Sequence, residues 1–190
     1  MSEEEVRTEE SPQAVETAGA ESADAPAAGA KLPLSTRLIG GFIDGLIAGV
    51  AAAIASSILG FVHYALGVIG GGLAGAAYML LRDSMFGNGQ SIGKKVMKYQ
   101  VVGPKGNPCT QELSIKRNIP LALASIVSAV LGIIAVVPVL GPIVAGLGSM
   151  IAGLLGLAIN IAEVYFINSD PKGNRYGDKF AGTTTVPFNG

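Results

Sequence analysis

Two long stretches of the chain carry almost no polar interruption. Between Leu38 and Leu81 the only charged or readily charged residues are Asp44 and His63, and the run is about twice the ~20 residues that a helix needs to cross a hydrocarbon core. It predicts two spans broken near Gly60 to His63, where Phe61 and Tyr64 suit the headgroup level. A second apolar run, Ile119 to Ile167, is interrupted by VVPVLGP, whose Pro138, Gly141 and Pro142 predict a short turn. Backbone polar groups find no water inside a bilayer, so each run must satisfy them internally as helix. The pattern predicts an all-α membrane protein of four helices in two hairpins, at about 38–60, 64–81, 119–138 and 142–167.

The polar segment 82–118 separates the hairpins. In it Ile92, Val96 and Tyr99 fall on one helical face with Lys94, Lys95 and Lys98 elsewhere, which predicts a short amphipathic helix lying on the membrane surface. YQVVG, the turn PKGN and the following CTQEL then predict a small β-hairpin.

Composition supports the membrane reading. The 190 residues are 49% hydrophobic and only 14% charged, with a mean hydropathy of +0.50, too apolar for an ordinary soluble domain of this length. The net charge of −1 conceals a division, because residues 1–30 hold eight of the 14 acids and one of the 13 bases. That segment, rich in Glu, Ala, Ser and Pro, buries too little apolar surface to offset the entropy of ordering and is expected to be a disordered acidic tail. It lacks the basic and apolar regions of a secretory signal and is expected to stay on the mature chain. The membrane domain is expected over 31–186, with 187–190 as its C-terminal end.

The remaining cations orient the spans. Lys31 and Arg37 precede the first helix, seven of the twelve lie in 82–118, and Lys172, Arg175 and Lys179 follow the last helix, while both hairpin turns carry none. The positive-inside rule then predicts both termini and the central segment in the cytoplasm, with only the two tight turns outside.

Inside this frame Asp44 is the residue that asks for an explanation. It lies seven residues past Arg37, about 10 Å along a helix, and so within the hydrocarbon near the cytoplasmic side. Glu163 sits at a comparable depth near the end of the fourth helix, with Asn160 one turn deeper on the same face. Ionisable groups at such depth face the bundle interior or a water-filled path and suggest a site for a proton or monovalent cation. The alternative is that Asp44 is simply paired, with Arg37 reaching down its own face. Glycine rows predict how the helices pack: Gly41, Gly45 and Gly49 on the first, and Gly67, Gly71 and Gly75 on the second, each form a smooth face through which the helices meet each other or, alternatively, further copies.

Other chemistry is excluded or bland. GQSIGKK has Asn88 where a phosphate-binding loop needs glycine and Lys95 where it needs Ser or Thr. Cys109 is the only cysteine and His63 the only histidine, they lie far apart, and no nucleophile, base and orienting acid can be assembled around them. Asp170 to Asn174 lacks the spacing of a calcium loop. No enzyme activity, cofactor, metal or nucleic-acid partner is expected, and the lysines are read as membrane-surface contacts.

Three segments, in order, carry a resemblance. RLIGGFID, GQSIGKKVMKYQVVG and RYGDKFAGTTTV resemble the signature segments of the RDD family of bacterial membrane proteins, over about Arg37 to Val186. The resemblance makes Arg37 and Asp44 the name-giving Arg and first Asp, and Asp178 the later Asp. Gly177 departs from it, since many relatives have histidine there. What it implies is a role in transport, in some members monovalent cation/proton antiport. Four helices with one or two buried acids are few for a complete alternating-access carrier, so a homo-oligomer or partner membrane subunit is expected. Two functions follow: a transport-associated protein using Asp44, Glu163 and Asn160, or a non-catalytic assembly or scaffold protein acting through helix packing and its tails.

Overall fold

A computed structural model of the chain describes residues 31–188; the acidic segment 1–30, with its expected disorder, and residues 189–190 of the C-terminal end lie outside the described residues. The elements run α1 (Leu34–Gly60), α2 (Tyr64–Leu81), α3 (Ile92–Val96), β1 (Tyr99–Val102), α4 (Gln111–Ile134), α5 (Leu140–Ser169), α6 (Tyr176–Ala181) and β2 (Thr184–Pro187). Four of them, α1, α2, α4 and α5, are long and apolar enough to cross a membrane. The protein is thus an all-α, multi-pass membrane protein with apolar helix faces turned outward for a bilayer.

The helices form a row in which α1 packs on α2, α2 on α4 and α4 on α5, while α1 and α5 scarcely touch. The tight turn between α1 and α2 is set by His63, whose Nδ1 accepts from the Ala65 N–H at 3.1 Å and caps α2. Leu140, Gly141 and Pro142 form the first turn of α5, where proline costs no helical hydrogen bond, so the bend falls slightly earlier than the sequence predicts. At its other end α4 begins eight residues before the apolar run, with Thr110 accepting from the Leu113 N–H as its cap. Hydropathy marks the part of a helix that meets lipid; the polar turns of α4 stand beyond it.

The predicted glycine-to-glycine interface is corrected in its α1 half. Gly67 and Gly71 of α2 pack against backbone and side chains of Ser56, Gly60 and Ala52, and a Cβ at Gly67 would stand 2.8 Å from the Ser56 carbonyl oxygen. Gly41, Gly45 and Gly49 meet nothing within 4 Å. They lie on another face, because the buried stripe of α1 is Arg37, Gly40, Asp44 and Ala48, which continues in step to Ala52, Ser56 and Gly60. Gly75 packs more loosely, between Ala52 and Ser125 of α4.

The segment between the hairpins also folds differently from expectation. β1 pairs antiparallel with β2, Val101 opposite Thr185, instead of forming a hairpin with CTQEL, which enters α4 after a single bridge between Val102 and Pro108. This two-stranded sheet ties the C-terminal segment to the central one and closes the charged end of the bundle. The surface-helix reading is corrected at Lys94, which is buried at 4% exposure, while Val96 on the apolar face is exposed. Only Lys95 and Lys98 of the three lysines lie at the surface.

Candidate functional site

Most of the largest fully buried side chains are polar: Asp44, Asp83, Gln90, Ser91, Ser114, Arg117, Asn118 and Asp178, with Val101 the one apolar exception. All of them lie at the charged end. Three aspartates there are each surrounded by cations and hydrogen-bond donors.

Asp44 receives hydrogen bonds from the Tyr78 hydroxyl at 3.1 Å, the Ser91 hydroxyl at 2.5 Å and the Gly93 N–H at 2.9 Å. Lys94 Nζ and an Arg82 nitrogen each stand 3.5 Å away. The carboxylate therefore docks α3 onto α1. Gly93 permits this, since a Cβ there would overlap the Gly40 carbonyl oxygen and stand 3.0 Å from Asp44 itself. Ser91 both caps α3, accepting from the Lys94 N–H at 3.4 Å, and donates to Asp44.

Asp83, directly after α2, binds Lys94 Nζ at 2.6 Å, Arg117 at 3.2 Å and the Asn118 side-chain amide at 2.9 Å. Burial alone would raise this carboxyl; Lys94, Arg117, Arg82 and Arg175 together hold it well below the usual carboxylate range. Burial pushes Lys94 down to about 8, with Asp83 opposing the fall.

Asp178 in α6 pairs with Arg117 at 2.6 Å and Arg37 at 3.2 Å, and accepts from the Arg175 N–H at 3.1 Å. Burial acts to raise its carboxyl too, and Arg117, Arg175 and Arg37 overcome it. Arg37 further donates to the Gly173 carbonyl and to Thr185 of β2. It is the partner of Asp178 and not of Asp44, which corrects the expected pairing along one helix face. A helix positions Arg37 toward either acid, and the C-terminal segment folding back over α1 decides between them.

Glu163 is different. It is 6% exposed, and neither carboxylate oxygen has a hydrogen-bond partner among the described residues; the Gly177 N–H lies near it outside ordinary bonding geometry. It faces a cavity of about 560 Å³ walled by α1 and α5, with Arg37, Arg82, Arg175 and Asn160 also in its lining. Asn160 donates to the Gly156 carbonyl of its own helix at 2.7 Å. Asp44 does not line this cavity. The expected layer of Asp44, Glu163 and Asn160 is thus split, with only the last two sharing a space and Arg82 standing between them and Asp44.

A model of the RDD family matches residues 33–182. The chain belongs to the RDD family. Arg37, Asp44 and Asp178, the residues that the resemblance singled out, all belong to the one buried network, where each acid holds a different segment against the helices. The Gly177 departure has a steric reason here, since any Cβ would overlap the Arg117 carbonyl oxygen. No curated protein matches this RDD chain, and no solved structure does.

Sequence reasoning missed Arg82, Asp83, Arg117, Asn118 and Arg175 as members of the network. The signal of the three arginines was present but read only as topology, since counting them for orientation passed over their capacity to pair; Asp83 and Asn118 carried no pattern that marked them.

Proposed function

We propose that this RDD-family protein is a transport-associated protein of the bacterial inner membrane, with both termini in the cytoplasm, in which Glu163 is the acid that exchanges a proton. The observation that carries this reading is the contrast between Asp44, which accepts four hydrogen bonds and has the Arg82 guanidinium beside it, and Glu163, buried in a cavity without a hydrogen-bond partner among the described residues. An ionised carboxylate so placed has arginines near it but lacks the hydrogen bonds that burial demands, and uptake of a proton relieves that cost. The orientation rests on the gathering of the cations of 31–188 at the end that carries the network.

Proton exchange suits the site better than coordination of a monovalent metal cation. Such a cation needs several oxygen ligands, whereas the cavity offers Glu163 and Asn160 beside three guanidinium groups that repel it. Among the described residues no three metal-ligating side chains gather. The reading assigns no enzymatic step, and it expects a second copy or partner subunit to complete the path.

The test is proton movement into proteoliposomes carrying a pH-sensitive dye, with sodium, potassium or no gradient. Wild-type flux that vanishes in a folded Glu163→Gln protein supports the reading. Flux that persists in Glu163→Gln, or is absent from the wild type, defeats it in favour of an assembly or scaffold role.

A further inference from the structure

The charge balance of the network is uneven. Five buried or nearly buried cations, Arg37, Arg82, Lys94, Arg117 and Arg175, share three aspartates. The excess is two positive charges, and Glu163 can offset one. Nε of Arg82 and of Arg175 come within 3.9 and 3.6 Å of Asp83 and Asp178 but have no hydrogen-bond acceptor among the described residues. Arg37, Arg82 and Arg175 all line the cavity that Glu163 faces. Buried guanidinium groups in excess of the acids around them leave a positive charge at the cavity, which an anion would balance. Their planar forks suit phosphate or carboxylate oxygens.

The walls are apolar and reach the outer surface. Leu38, Phe42 and Leu46 of α1 line the cavity and are 44%, 66% and 55% exposed on a face that meets the bilayer. Gly41 and Gly45 open the same wall, because they carry no side chain to fill it. Farther from the charged end a second cleft of about 460 Å³ is lined by small residues of all four long helices, including Ala52, Ser56, Ser149 and Gly153. A free inorganic anion would find donors here but leave the apolar wall without a partner.

We propose that the cavity between α1 and α5 binds an amphiphilic anion, a phosphate-bearing lipid, with its headgroup on Arg37, Arg82 and Arg175 and its tail along α1 and α5. This names a ligand class for the cavity of the proposed transport role and rests on that reading for its purpose. Glu163 then acts as a gate on charge: protonated, it donates to the headgroup, and ionised, it repels it. The charged groups that act on it are Arg37 from α1, Arg82 after α2, Arg117 from α4, and Arg175 and Asp178 around α6. Binding therefore strengthens as pH falls.

The test uses the purified full chain in a neutral detergent, with unfolding followed by a thiol-reactive dye on Cys109, the single buried thiol. Phosphatidylglycerol, phosphatidylcholine and inorganic phosphate are titrated separately at pH 6 and pH 8. Phosphatidylglycerol is expected to raise the unfolding midpoint, more strongly at pH 6, with little change from the other two. Glu163→Gln is expected to bind about tenfold tighter, the size of one relieved like-charge contact, and to lose the pH dependence. Gly45→Leu, whose side chain enters the cavity without touching the ion network, is expected to keep the ligand-free midpoint and lose the shift. Equal shifts from phosphatidylcholine, or an undiminished shift in Gly45→Leu, overturn the proposal. A matching shift from inorganic phosphate overturns the amphiphile in favour of a free anion. Binding is read at equilibrium, so a protein that binds lipid but moves no protons defeats the transport reading alone.

Discussion

The apolar shaft of the bundle and its charged end are held together by opposite means. In the shaft the buried apolar cluster is only Ala65, Ala135 and Ala145, while large side chains such as Ile54, Ile58, Leu154 and Ile161 face outward. Lipid is as apolar as leucine, so burying leucine between helices brings no hydrophobic gain there; close approach of small residues does the work instead. At the charged end the interior is ionic and the backbone that encloses it is short, irregular and drawn from three separate segments. The shaft is specified by shape, the charged end by charge pairing. Each is therefore sensitive to a different kind of substitution.

The largest expected effect is at the ionic end. Asp178→Ala strands Arg117, Arg37 and Arg175 together and is expected to cost about 3–5 kcal/mol, as removal of one partner of a buried pair does. Detergent-solubilised protein should unfold at a markedly lower temperature, and protease should cut the C-terminal segment first. A wild-type melting profile would mean that the segment is not held by this acid. Asp44→Asn should act in the same direction by releasing α3, with proton movement, where it occurs, falling in step with folded protein.

Steric substitutions rank next. Gly93→Ala and Gly177→Ala each place a methyl group on a backbone carbonyl, with an expected cost of about 1–3 kcal/mol. In the shaft, Gly71→Ala meets the Ala52 carbonyl and Ser56 at 3.0 Å and should also destabilise. Gly45→Ala, in a row of identical spacing, should stay within about 0.5 kcal/mol of wild type. Equal penalties for Gly71→Ala and Gly45→Ala would show that both glycine rows are packed, contrary to the geometry above.

Last come the effects of pH on stability, which act without any substitution. Asp83 and Asp178 are held below their ordinary value of 3.8, so they bind fewer protons folded than unfolded near that value. Their contribution is complete above about pH 4 and is lost as pH falls through the folded values. Lys94 is pushed from 10.5 down to about 8; the unfolded chain binds the extra proton between these values, so stability should rise from pH 8 to 10.5. Thermal melts across both windows check the signs, and Lys94→Met should flatten the alkaline one.

How far the site was legible follows the same division. Four spans could be read because hydropathy is a local property, and the family signature could be read because its residues stand in order. The pairing of Arg37 could not, since a residue seven positions away on its own helix and one 141 positions away are equally compatible with its helix face. Lys94 falls off the apolar face of Ile92, Val96 and Tyr99, which predicts the surface; Asp83, arriving from the end of α2, and Asp44 of α1 make its burial possible.

By itself, then, the sequence determined that four segments must be helices across a membrane, because uninterrupted apolar residues leave the backbone no partner but itself. It also determined that the cations gather at one end. Only the tertiary structure decided that Asp44 is an anchor, that Glu163 has no hydrogen-bond partner among the described residues, and that three arginines meet in one cavity. Those outcomes depend on which segments fold back over which helix ends, and charge pairing carries no sequence period from which that choice could be read.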